Sequence, residues 1–150
     1  MRCLLLRLLA LAALVLVATW AEAQSPVGRW VVDEEAMRGL MRGMVVEQLE
    51  ADGVPPAQQE MILQAIEPDI TRTLEELRGT LEFFPDGRAV FSDSKGRADD
   101  ASWTQDGETI RIVPAAGEEN AMRARIIEGK LHLRSEQEGE EGIAVVFMRQ

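Results

Sequence analysis

The chain has 150 residues, 26 acidic against 16 basic, and a net charge of −10 with its single histidine neutral. A surface of that sign repels nucleic acid and anionic headgroups. With one cysteine and one histidine, zinc-thiolate chemistry and a disulfide framework are excluded.

The N-terminus reads as a secretory signal peptide over residues 1–23. Arg2 and Arg7 supply positive charge, Leu8 to Trp20 is an uncharged apolar run, and Ala21-Glu22-Ala23 fits a cleavage site. The apolar run is shorter than the roughly 20 residues of a membrane-spanning helix. Cys3 lies among the charged residues rather than at the cleavage site, so no lipid anchor is expected. The expected product is periplasmic or secreted, is not an integral membrane protein, contains no cysteine, and forms a single domain over residues 24–150.

Val27 to Val32 reads as a first strand. Asp33 then has the character of an N-cap, with Glu34 and Glu35 placed against the helix dipole. Met37, Leu40, Met41, Met44, Val45 and Leu49 follow helical spacing, and Gly53 is the expected stop. A second helix is expected from Pro55-Pro56, with Ile62, Ile66, Ile70, Leu74 and Leu77 as its stripe. Pro68 is expected to kink or divide it, and Gly79 to end it. The helical pair thus covers about residues 33–78.

From about 80 to 149 the period changes from helical to two. Thr80–Phe84, Arg88–Ser92, Arg97–Thr104, Thr109–Val113, Ala121–Ile127, Lys130–Ser135 and Gly142–Arg149 read as strands, with Pro85-Asp86-Gly87 and Asp106-Gly107 among the turns. The polar loop Glu136–Glu141 precedes the last of them. Short turns imply antiparallel neighbours. The predicted fold is therefore α+β, an up-and-down antiparallel β-barrel or half-barrel of about eight strands with a helical hairpin inserted after strand 1.

Gly28-Arg29-Trp30 on the first strand resembles the G-x-W signature of the calycin superfamily, which holds lipocalins, fatty-acid-binding proteins and bacterial lipocalin-like proteins. The resemblance implies that Trp30 closes one end of a barrel and that Arg149, near the end of the last strand, lies over it. Gly28, Trp30 and Arg149 would form this seam. A helical pair between the first two strands is similar to the arrangement in fatty-acid-binding proteins. The chain has no tyrosine, so the Arg-x-Tyr carboxylate clamp of those proteins is missing. The lipocalin-like group implies a carrier.

Alternation places Ile110, Ile112, Met122, Ala124, Ile126, Leu131 and Leu133 on one face, toward the interior. With Trp30 and Trp103 as flat walls, Ile110, Ile112, Met122, Ile126, Leu131 and Leu133 are the candidate lining of a site for a small, partly apolar ligand. The opposite face carries Arg111, Arg123, Arg125, His132 and Arg134, a row able to hold a carboxylate or phosphate, or simply an outer wall of exposed ion pairs. Met37, Met41 and Met44 share a helix face, which a core stripe explains better than a Cu(I) site. No metal and no cofactor are expected. His132 lacks a G-x-S-x-G partner or any other nucleophile signal, so no catalytic residue is assigned and no enzyme is expected. The final strand is apolar on both faces from Ile143 to Met148, which predicts a cover over its outer side, from the helices or a second subunit. Two roles follow. One is an exported ligand-binding protein. The other is an envelope interaction module with a filled core and the helical pair as recognition surface, its partner an envelope protein.

Overall fold

The computed structural model describes residues 24–137 and 142–150. The expected signal peptide over 1–23 lies outside the described residues, as does the end of the polar loop.

The chain runs β1 (Gly28–Val32), α1 (Glu34–Ala51), α2 (Pro56–Leu77), β2 (Gly79–Phe83), β3 (Arg88–Asp93), β4 (Ala98–Asp106), β5 (Thr109–Pro114), a 3-10 turn (Glu118–Asn120), β6 (Met122–Ile127), β7 (Lys130–Ser135) and β8 (Val145–Arg149). Each strand pairs with the next in antiparallel register, and β8 returns to β1, so the sheet is a closed eight-stranded barrel with no free edge. Of the two architectures expected from the sequence, the closed one is present. Alternation along the strands sends Trp30, Leu81, Phe83, Ile110, Ile112 and Leu131 inward, each at most 1% exposed. Small residues face large ones across the strands, Ala89 opposite Phe83 and Ala124 opposite Ile110, so the inner layers interdigitate.

The helices leave and rejoin the barrel side by side, because Val31 and Thr80 are register partners on β1 and β2. Asp33 caps α1 as expected, its Oδ1 accepting the Ala36 N–H at 3.0 Å. Its Oδ2 also meets Lys130 Nζ at 2.7 Å, so the bridge reaches from the end of β1 across β8 to β7. The Asp33 carbonyl takes the Met37 N–H, and the Val146 N–H donates instead to Met37 Sδ at 3.3 Å. Met37, Ile70 and Leu74 are buried in continuity with the barrel core, so the pair is packed on the barrel rather than hanging loose. The helices hold each other through Glu67 of α2, which Arg38 and Arg42 of α1 both grip, Arg42 at 2.9 Å.

Three local expectations are corrected. Of the two outcomes expected at Pro68, a kink or a division, division does not occur: α2 runs through the proline, which is exposed. The buried residue near the start of α2 is Leu63, with Ile62 half-buried. β8 begins at Val145 rather than Gly142, and its outer face is covered only in part: Val146 is 2% exposed, Met148 47%.

Candidate functional site

The sequence seam is present in space. Trp30 is buried and donates its indole N–H to the Pro26 carbonyl at 2.7 Å. The Arg149 guanidinium carbon lies 4.5 Å from its ring centroid, and the same side chain donates to the Val27 and Ser25 carbonyls at 3.0 and 2.8 Å. Gly28 has φ +126°, and a Cβ there would sit 3.3 Å from an Arg149 nitrogen, so glycine answers both constraints. Trp103 points inward, edge-on to Phe83 with centroids 5.6 Å apart, and donates to the Phe84 carbonyl at 3.0 Å.

The candidate lining residues meet on one interior surface. Trp30, Ile110, Ile112, Leu131 and Leu133 are buried core residues, with Trp103, Met122 and Ile126 partly buried against them. They pack on one another, and Met37, Ile70 and Leu74 close the layer from the helices.

The basic residues also meet, on the outer wall. Register sets Arg111 opposite Arg123, Arg123 opposite Arg134, and Arg125 opposite His132. Glu136 accepts from Arg111 Nε at 2.9 Å and from Arg123 Nε at 3.1 Å. The Arg111 hydrogen bond, followed by that from Arg123, lowers the Glu136 carboxyl below its ordinary range. Burial lowers the His132 pKa from the usual imidazole value, and Arg134 and Lys130 push it the same way. The shift favours the neutral imidazole.

A further recess was not foreseen. About 590 Å³ opens over the outer side of the closing seam, where Val31 and Met148 are register partners. Thr80 and Ser92 line it with hydroxyls, and its border carries both Arg29 and Arg78 and the carboxylates of Asp33, Glu34, Glu35 and Asp93. Gly79 lies on it too; a Cβ there would fall 2.8 Å from the Ser92 carbonyl, so the residue lets β2 start close against β3. The signal available in sequence was the apolar outer face of the last strand, expected to be covered by the helices or a second subunit and covered only in part.

The methionine face does not form a ligand set. Met37 is 1% exposed and accepts a backbone hydrogen bond, whereas Met44 is 47% exposed. Among the described residues no three histidine, cysteine or acidic side chains converge as a metal site, and no helix is long and apolar enough to cross a membrane.

Comparison with known protein families, curated proteins and solved structures finds no match to this chain. The closed eight-stranded barrel with its helical pair is compatible with a calycin-like fold.

Proposed function

We propose that this is an exported, non-catalytic, lipocalin-like binding protein for a small, partly apolar ligand, and that the ligand sits in the recess over the seam. Magnitudes favour this place over the barrel interior. Opening the helical cap would take Met37, Ile70 and Leu74 out of the core, at roughly 1.5–3 kcal/mol each. A small ligand burying about 200 Å² of apolar surface returns about 5 kcal/mol, which matches only the lower end of that cost. The recess asks for no such opening. The observation that carries the reading is the exposed Met148 beside Val31, an apolar floor on the one strand whose outer face the helices leave half covered. Hydroxyls and charged groups at its border suit a ligand with a polar end.

Native mass spectrometry of protein taken from its own source tests this. A retained small molecule, lost in Met148→Glu with the fold intact, is the expected result. Bare protein, together with a Met148 methyl resonance unmoved by short-chain alcohols and amines, would sink it.

A second reading, the interaction module, draws on the helices. Leu40, Met44 and Met61 are 43%, 47% and 65% exposed. Partner capture that is lost in Leu40→Glu/Met44→Glu, with ligand retention unchanged, would select it.

A further inference from the structure

The outer wall of β5, β6 and β7 concentrates positive charge on a chain whose net charge is −10. Cationic side chains directly opposed across strands oppose sheet formation, and the register creates two such arginine pairs in succession, Arg111 with Arg123 and Arg123 with Arg134. On this wall Glu136 serves both Arg111 and Arg123, and Arg134 is engaged as well. Arg123 uses its Nε for that contact and its side chain remains 67% exposed, so its terminal nitrogens stay accessible. Arg125 is exposed and has no ion-pair partner among the described residues.

A recess of about 380 Å³ opens on this wall, bordered by Thr109, Arg123, Arg125, His132, Arg134 and Ser135, with the Glu136 carboxylate that Arg123 holds also on its rim. The two hydroxyls and the imidazole add donors beside the guanidinium forks. Ile127, 49% exposed, gives the same recess an apolar flank. We propose that this recess binds a small amphiphilic oxyanion, a carboxylate or phosphate monoester with a short alkyl part. The head takes the forks of Arg123 and Arg125, and the alkyl part lies on Ile127. Such an anion supplies a countercharge to Arg125, which has none among the described residues. The site is on a different wall from the seam recess and stands independently of it.

His132 reports occupancy. It faces Arg125 from β6, has Arg134 and Lys130 on its own strand and Glu128 in the preceding turn, and meets the apolar Val146 of β8. An anion placed among these cations favours the imidazolium, so binding raises the His132 pKa.

The purified protein is titrated with octyl phosphate, octanoate and, as the uncharged control, octanol, by calorimetry and by NMR of the His132 ring and the wall amides. The expected result is that one anionic probe binds at least about tenfold more tightly than octanol, weakens with added salt, and raises the His132 pKa. Whichever of the two anions binds more tightly names the headgroup. Arg125→Ala weakens that binding by about tenfold or more with an unchanged melting curve. Arg123→Gln serves the same purpose should the first variant not fold. Equal binding of octanol, affinity indifferent to both substitutions, shifts confined to Met148 and Val31, or a response to anionic phospholipid vesicles alone would each overturn the proposal.

Discussion

Arg149 and Trp30 are register partners across the strand pair that closes the barrel, and the guanidinium of the first covers the indole of the second at 4.5 Å. The contact therefore lies on the closure itself, between the first strand and the last. Arg149→Ala removes the cation–π contact and two donors to backbone carbonyls, and is expected to cost about 1–3 kcal/mol. Gly28→Ala forces a side chain into φ +126° and is expected to cost a similar amount, about 1–3 kcal/mol. Urea unfolding followed by tryptophan fluorescence measures both.

Packing of the interior is open to an overfilling test. Ala124 is 1% exposed and faces Ile110, which is 0% exposed. Ala124→Leu is expected to destabilise by about 1–3 kcal/mol because the added carbons must fit among buried core neighbours. A hollow barrel would instead gain stability from the same change. Thermal and chemical denaturation give the sign directly.

Asp33 joins helix cap and barrel bridge in one carboxylate, so its titration acts on stability. The hydrogen bond from Ala36, then that from Lys130, lower its pKa in the folded state. A lowered carboxyl pKa contributes stability that is present above the unfolded value, about 3.9, and is lost as pH falls through the folded one. Lys130 is shifted upward by the same hydrogen bond, so its contribution holds below the unfolded lysine value and fades at strongly alkaline pH. Asp33→Ala is expected to cost about 1–2 kcal/mol at pH 7 from the lost cap. Measured by urea unfolding across the acid range, the gap between wild type and variant narrows below about pH 4.

Pro68 sits inside α2 with its ring exposed and deprives the helix of one N–H. A proline in a helix interior costs up to about 3 kcal/mol, partly offset by the stiffer unfolded chain. Pro68→Ala is thus expected to stabilise by about 1–2 kcal/mol. Circular dichroism melting checks it.

Local pattern made most of the fold legible. Period-two alternation located most of the strands, the last being read as a two-sided apolar run, and the turn residues separated them: Gly87, Gly96, Gly107 and Gly129 all have positive φ. Asp33 was readable as a cap because its chemistry is local. Closure between β1 and β8 was not readable from periodicity, because a strand's alternation says which face is apolar and nothing about its neighbour; only the Gly28-Arg29-Trp30 resemblance pointed there. The basic row was legible as a set, since its members alternate with apolar residues, but the sharing of Glu136 by Arg111 and Arg123 depends on how the chain leaves β7. The seam recess was invisible for the same reason. It is made by β1, β2, β3 and β8 together with the start of α1, and no single segment carries its outline.

Every strand from β3 to β7 finds both of its neighbours within one turn or short loop of chain, but β1 does not. Its partners are β2, beyond two helices, and β8. β1 can pair with β2 as soon as the helices are made, but the edge it turns toward β8 stays unpaired until the last strand is in place. Loss of a few residues from β8 would leave two raw edges where the closed barrel has none, and such edges are a template for stacking.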